Sequence, residues 1–155
     1  HARTKKQMIS GPIHFDAIST LKNTLKIPVV GNGEIWSPED AAFMLNTTGC
    51  DAVMLARGLV GKPWLVKQCL DYTKTGSYHE PQKDEIVRIM LKHLQLMIED
   101  RGVEYVIKEI RKHVVKYAKG FENSRIFRSH AVTITDPDIM YNHIQQLLFQ
   151  EEMAV

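Results

Sequence analysis

The fold is decided by two short stretches of this sequence, Ile27–Glu34 (IPVVGNGE) and Cys50–Trp64 (CDAVMLARGLVGKPW). In each, an apolar run stops at a glycine-containing turn that carries a polar or basic residue. A strand of a parallel sheet ends in this way when backbone N–H groups of the turn face an anion such as a phosphate, and the second turn is expected to lead into a helix. The two stretches therefore predict consecutive β/α units with an anion-binding edge.

Helical segments alternate with the two predicted strands, which we place at Ile27–Val30 and Asp51–Ala56. Before the first strand, Asp16–Lys26 carries apolar residues at helical spacing. Between the strands, Ser37-Pro38-Glu39-Asp40 predicts a helix start with a capping box, and this helix should end near Thr47-Thr48-Gly49. The alternation predicts a parallel sheet covered by helices.

The first half of the chain extends to about Gly76 and ends with a helix that runs through Trp64 to about Thr75. His1-Ala2-Arg3-Thr4 resembles the end of a further strand. A complete α/β barrel takes eight strands and about 250 residues. The sequence therefore predicts only part of such a barrel.

The second half follows a predicted linker at 76–81 and contains helical patterns only. A stripe of apolar residues predicts a first helix that is interrupted at Arg101-Gly102, and a second helix should end at Gly120. A short third helix is predicted from Asn123 and a fourth from Asp136. This half is expected to form a small bundle of three or four helices.

The composition limits the class of protein. The chain has 155 residues, a net charge of +2 and 44% hydrophobic residues, as in ordinary soluble globular proteins. It lacks an apolar run of roughly 20 residues and a secretory signal, so we expect no membrane segment. Two cysteines without a CxxC spacing indicate a reduced, cytoplasmic setting, and seven histidines without a ligand-type spacing predict no metal site.

Each candidate site residue also has a simpler explanation. Gly31-Asn32-Gly33-Glu34 is either part of a ligand site or an ordinary Asn-Gly turn, and the second turn with Arg57 favours the ligand site. His1 is either a hydrogen-bond donor to a ligand ring or a terminal residue without a partner. Cys50 and Cys69 are expected to be buried packing residues rather than nucleophiles.

A basic cluster occupies the window from Tyr105 to His130. It holds seven basic and two acidic residues, which gives a net charge of +5. Lys108, Arg111, Lys112 and Lys119 are spaced to share much of one helical face. Such a face suits a phosphodiester backbone, although a solvated helix surface explains it equally well.

Together, these segments resemble the bacterial-type branch of the tRNA-dihydrouridine synthases. The resemblance rests on HARTKKQMISGP, IPVVGNGEIWSPEDAAFML, GCDAVMLARGLVGKPWL and IRKHVVKYAKGF. It implies an α/β fold in which residues 1–77 form about the last three β/α units of an FMN-binding TIM barrel and residues 78–155 form an all-α helical tRNA-binding domain. In this family NADPH reduces FMN, and the reduced flavin reduces the C5–C6 bond of a uridine in tRNA.

The resemblance also implies roles for individual residues. The residues that it assigns to FMN are His1, Asn32, Gly33, Glu34, Ala56, Arg57 and Gly58. The residues that it assigns to the substrate or to RNA are Arg3, Lys108, Arg111, Lys112, Lys116 and Lys119. The family's proton donor is a loop cysteine that neither cysteine of this chain matches, so we expect it upstream of His1, assign no catalytic residue here, and expect the chain alone to be inactive.

Two other functions remain open from the sequence. One is a different flavin-dependent barrel oxidoreductase that binds phosphate but not RNA; the basic second half argues against it. The other is a non-catalytic RNA-binding module formed by the helical half.

Overall fold

The computed structural model describes residues 1, 3–7 and 11–152, with side chains described up to residue 148. The chain divides into two compact units, His1–His79 and Glu80–Val155. The predicted strand end at His1-Ala2-Arg3-Thr4 includes residue 2, which lies outside the described residues. No helix in the described part of the chain has the length and apolar character needed to cross a membrane.

The first unit alternates helices and strands. Its elements are α1 (Phe15–Thr24), β1 (Val30–Asn32), α2 (Pro38–Thr48), β2 (Ala52–Met54) and α3 (Leu65–Thr75), with short 3-10 helices at Lys5–Gln7 and Arg57–Leu59. The two strands are parallel, and Gly31 lies opposite Val53. The predicted alternation of strand and helix and the parallel pairing are confirmed.

The bounds predicted for both strands are wrong, and the side chain of Asp51 explains part of the difference. Its Oδ2 accepts a hydrogen bond from the Val29 backbone N–H at 2.7 Å, and its Oδ1 binds Nζ of Lys22 at 2.6 Å. The Val29 N–H is therefore not available to the sheet, and β1 begins at Val30 and extends through Asn32. The hydrogen bond from Lys22, followed by that from Val29, lowers the pKa of Asp51.

Helix α2 begins as its sequence predicts. The Ser37 hydroxyl accepts from the Asp40 N–H at 3.2 Å, and the Asp40 carboxylate accepts from the Ser37 N–H at 3.0 Å. Pro38 occupies the first helical position, and Gly49 ends the helix in the left-handed conformation at φ 66°. The predicted capping box and the predicted helix end are confirmed.

The core of the first unit lies between the sheet and the helices. A Cβ added to Gly31 would lie 2.6 Å from Sδ of Met44 and 3.0 Å from Sγ of Cys50, so a larger residue there would displace the Met44 side chain. Cys50 and Cys69 are buried, as predicted. The buried hydrophobic residues are Ile18, Val29, Ile35, Ala41, Met44, Cys50, Leu65 and Cys69.

The connection after β2 differs from the prediction in one respect. The turn at Arg57 does not lead directly into a long helix, because it forms the 3-10 helix Arg57–Leu59 and residues 60–64 separate it from α3. Gly61 has a φ of 79° within this connection, a backbone conformation that favours glycine.

The second unit contains α4 (Lys83–Arg101), α5 (Val103–Tyr117), α6 (Ser124–Ala131) and α7 (Pro137–Glu152). Helices α4, α5 and α7 pack on one another, and α6 packs on α5. The prediction that α5 continues to Gly120 is wrong. It ends at Tyr117, and Gly120 turns the chain with a φ of 101°, so Lys119 lies in a turn and not on the helix.

Candidate functional site

A cleft of about 100 Å³ opens where the two strands end. Asn32 and Met54, the last residues of β1 and β2, lie side by side in the sheet. The Asn32 side chain donates a hydrogen bond to the Met54 carbonyl at 2.7 Å, which ties the strand ends together. The lining residues are His1, Asn32, Gly33, Glu34, Ile35, Trp36, Met54, Ala56, Arg57 and Gly58.

Close backbone contact shapes the floor of this cleft. A Cβ added to Gly58 would lie 2.4 Å from the backbone oxygen of Ile35, a distance that real Cβ atoms essentially never show. Gly33 and Glu34 have φ values of 141° and 50°. Positive φ is common for glycine and uncommon for glutamate, so the turn holds Glu34 in a conformation that must be stabilised by its neighbours.

The Glu34 carboxylate binds three side chains. Oε1 accepts hydrogen bonds from Nη1 of Arg3 at 2.6 Å and from Nη2 of Arg57 at 2.8 Å. Oε2 accepts one from the indole N–H of Trp36 at 2.8 Å. We call these four residues, Arg3, Glu34, Trp36 and Arg57, the Glu34 cluster.

The charge of the Glu34 cluster is well defined. The hydrogen bond from Trp36 and then that from Arg3 lower the pKa of Glu34 to about 2. The carboxylate is therefore ionised at neutral pH, and two guanidinium groups against one carboxylate leave a net charge of +1. A small cleft with one excess positive charge and glycine-lined backbone is suited to an anion.

The two arginines of the cluster have different exposures. The Arg3 side chain is 7% exposed and also donates to the backbone oxygen of Gly11. The Arg57 side chain is 47% exposed, and its guanidinium carbon lies 5.3 Å from the centre of the Trp36 ring. Arg57 is thus the arginine that an incoming ligand can reach, and a cation–π contact holds it beside the indole.

The structure brings all seven residues predicted for the cofactor into this one cleft. Their binding of a cofactor stays a prediction. The predictions missed Ile35, Trp36 and Met54, which also line it. Of these three residues, Trp36 could most easily have been predicted from the sequence. It is an aromatic residue that closely follows the glycine-containing turn and directly precedes Ser37, the cap of α2.

The residues predicted for the substrate or RNA do not form one set, because Arg3 belongs to the Glu34 cluster and Lys119 lies in the turn after α5. Lys108, Lys112 and Lys116 are exposed and lie at four-residue intervals along α5, so they share one face; we call them the α5 lysines. Nζ of Lys112 binds the carboxylate of Glu109. Arg111 is only partly exposed, and its Nε donates to the backbone oxygen of Ile134 at 2.8 Å, so its guanidinium serves the packing of the second unit.

A second set of titratable side chains lies between α4 and α5. Nδ1 of His93 is 3.2 Å from the Tyr117 hydroxyl, and the His93 and His113 rings are 4.7 Å apart. Burial lowers the pKa of both histidines and raises the pKa of Tyr117 to about 12. Within the described residues, no group of three or more His, Cys, Asp or Glu side chains is placed to hold a metal ion.

The comparisons with known proteins agree with one another. The model of the family Dihydrouridine synthase (Dus) matches residues 1–152. The tRNA-dihydrouridine synthase B of Pasteurella multocida is 36% identical over 138 residues, which are 88% of this chain and 42% of that protein. The protein of the same name from Pseudomonas putida is 34% identical over 100% of this chain and 46% of its own length.

A third relative gives the same result. The tRNA-dihydrouridine synthase B of Vibrio parahaemolyticus is 40% identical over 83% of this chain and 40% of its own length. The chain thus spans less than half the length of these curated relatives. The family model nevertheless matches almost the whole of it, and the chain belongs to the dihydrouridine synthase family.

Proposed function

We propose that this chain is the C-terminal part of an FMN-dependent tRNA-dihydrouridine synthase, which uses NADPH to reduce the C5–C6 bond of a uridine in tRNA. The observation that carries the proposal is the convergence of seven residues, separated by as many as 57 positions, on one cleft with an excess positive charge. The names of the relatives support the substrate and the product. In this proposal the first unit supplies the last β/α units of a TIM barrel.

The cleft fits the phosphate end of FMN. Pockets that enclose a whole small-molecule ligand measure about 300–1,000 Å³. The cleft measures about 100 Å³, so it has room for only a small part of such a ligand. Arg57 would pair with the phosphate, and Gly33 and Gly58 would allow the backbone to approach it. Bound FMN, once reduced by NADPH, would supply the hydride that the uracil ring accepts.

The proton donor of the reaction belongs, in this proposal, to another part of the protein. Reduction of the C5–C6 bond needs a proton at one carbon as well as a hydride at the other. Cys50 and Cys69 are buried in the core of the first unit, and neither lines the cleft. We therefore assign the activity to a protein of the length of the relatives and expect the 155-residue chain alone to be inactive.

The second unit supplies the contacts to tRNA. The α5 lysines present three positive charges along one exposed face, at a spacing suited to successive phosphates. Lys119 adds a fourth exposed charge from the turn that follows α5. Arg111 contributes by holding this part of the backbone in place rather than by contacting RNA.

The proposal is tested with a protein of the length of the relatives that contains this chain. We expect a flavin absorption spectrum and formation of dihydrouridine in an unmodified tRNA when NADPH is added. The variant Arg57→Gln should lose most of its flavin, while a variant of the α5 lysines should keep flavin and lose activity on tRNA. A colourless protein that forms no dihydrouridine would overturn the proposal.

A further inference from the structure

The carboxylate of Glu34 poses a chemical problem for a phosphate site. A carboxylate has only acceptor oxygens when ionised and repels a phosphate that it touches. Yet Glu34 lines the cleft and is held in an uncommon backbone conformation. Its role must therefore differ from that of a direct ligand.

We propose that Glu34 is a positioning residue, which fixes the Arg57 guanidinium and the Trp36 indole at the cleft so that Arg57, and not Glu34, contacts the phosphate. The inference rests on the proposed function in that the phosphate is taken to be that of FMN. The family resemblance assigns Glu34 and Arg57 alike to FMN, whereas this inference gives Glu34 a positioning role and Arg57 the contact with the phosphate.

The hydrogen bonds of the carboxylate support this role. Both oxygens already accept short bonds from within the protein, at 2.6 and 2.8 Å on Oε1 and at 2.8 Å on Oε2. Arg57, in contrast, has five N–H donors, and Glu34 engages one of the two on Nη2. The guanidinium therefore keeps donors for a ligand while its orientation is set by the carboxylate.

Arg3 holds the carboxylate, and Trp36 contacts both the carboxylate and the Arg57 guanidinium. Arg3 is 7% exposed and anchors Oε1 from within the protein, where its Nε also binds the Gly11 carbonyl. Trp36 anchors Oε2 through its N–H and places its ring 5.3 Å from the Arg57 guanidinium carbon. A guanidinium held in this way loses less conformational freedom when it binds a phosphate.

The positioning role and simple charge attraction make opposite predictions. Removing the negative charge of Glu34 raises the net charge of the cluster from +1 to +2, so attraction alone predicts tighter binding of FMN to Glu34→Gln. If Glu34 positions Arg57, the same variant binds FMN more weakly, because the guanidinium is no longer held. The sign of the effect distinguishes the two.

The test is a double-mutant cycle on the chain, with FMN affinity measured by fluorescence quenching. We expect Glu34→Gln and Arg57→Gln each to weaken binding about tenfold and the double variant to bind no more weakly than Arg57→Gln. Glu39→Gln, which removes the same charge from an exposed residue of α2, should leave affinity unchanged. Equal or tighter binding by Glu34→Gln, or additive losses in the cycle, would overturn the role.

A ligand-free measurement separates this inference from the proposed function. The indole N–H signal of Trp36, identified by its loss in Trp36→Phe, and the Nε–H signal of Arg57 are followed by NMR in the chain without FMN. We expect both to shift and broaden in Glu34→Gln but not in Glu39→Gln. Unchanged signals would overturn the positioning role. Shifted signals, together with no binding of FMN by a protein of the relatives' length that contains this chain, would uphold the role and reject the FMN assignment.

Discussion

Nη1 of Arg3 lies 2.6 Å from Oε1 of Glu34, and the two residues are 31 positions apart in the sequence. This ion pair connects the start of the chain to the turn that follows β1. Arg3 is 7% exposed and Glu34 34% exposed, so water screens the pair only partly. Removal of one partner would leave the other charge poorly paired, and this costs stability.

The first prediction concerns that pair. Arg3→Gln should lower the free energy of unfolding by about 1–2 kcal/mol, because a mostly buried hydrogen-bonded charge is lost and Glu34 keeps only its other partners. Urea unfolding measures the change. Arg125→Gln, at an exposed residue of α6, is the matched control and should change stability by less than about 0.5 kcal/mol. Equal effects of the two variants would contradict the account.

The second prediction concerns the α5 lysines. Replacement of Lys108, Lys112 and Lys116 by glutamine should weaken tRNA binding and reduce the slope of log affinity against log salt concentration by about 2–3, since each phosphate contact releases counterions. Gel-shift titrations over a salt series measure both quantities. The triple variant of Lys26, Lys74 and Lys92, which removes the same charge from other exposed positions, is the control.

An unchanged salt slope in the α5 variant would show that these lysines do not contact phosphates. Equal losses in the two triple variants would show that net charge matters and position does not. Either result would remove the RNA-binding role from this face of α5.

The third prediction concerns Glu109, which binds Nζ of Lys112. This hydrogen bond is the main reason that the pKa of Glu109 is lowered, so the carboxylate is ionised at neutral pH and competes with phosphate for the lysine. Glu109→Gln should therefore raise tRNA affinity about two- to fivefold at low salt. Glu104→Gln removes the same charge from the first turn of α5 and should have a smaller effect. A larger effect of Glu104→Gln would argue against competition at Lys112.

The fourth prediction concerns the histidines between α4 and α5. Burial lowers the pKa of His93 and His113 in the folded chain, so below the ordinary histidine value of about 6.5 the unfolded chain binds more protons than the folded chain. The contribution of these histidines to the free energy of unfolding is therefore largest above that pH, and it falls as the pH drops toward their pKa values in the folded chain. Urea unfolding at pH 8, 6.5 and 5 measures the slope.

The variant His113→Gln should flatten this dependence, because it removes one of the two partly buried titrating rings. His130→Gln, at an exposed histidine of α6, should leave the slope unchanged. The neighbouring charges Glu109 and Lys112 act on His113 in opposite directions and less strongly than its burial. A slope in His113→Gln as steep as in the unmodified chain would show that His113 is not one of the titrating groups.

The features that were predictable from the sequence depend on neighbouring residues. The capping box of Ser37 and Asp40 spans three positions, and the alternation of strand and helix follows from local apolar patterns. The glycine-containing turns were located for the same reason. Their convergence on one cleft followed from the rule that parallel strands carry their ligand sites at the carboxyl ends.

The features that were missed depend on residues far apart in the chain. The start of β1 is set by the side chain of Asp51, 22 residues after Val29, and no strand propensity encodes that bond. The spacing of Arg111 predicts that it belongs to the basic face, but its guanidinium binds the carbonyl of Ile134, 23 residues away. The Glu34 cluster likewise forms only when Arg3 and Arg57 meet in the folded chain.

The central claim is that the cleft at the strand ends binds the phosphate of FMN. Its most direct test compares FMN with riboflavin, which lacks the phosphate, in titrations of the chain followed by backbone amide NMR. We predict that FMN shifts the signals of Asn32, Gly33, Arg57 and Gly58 and binds at least about tenfold more tightly than riboflavin, and that Arg57→Gln removes this difference. Equal affinity for the two compounds, or signal changes confined to other residues, would contradict the claim.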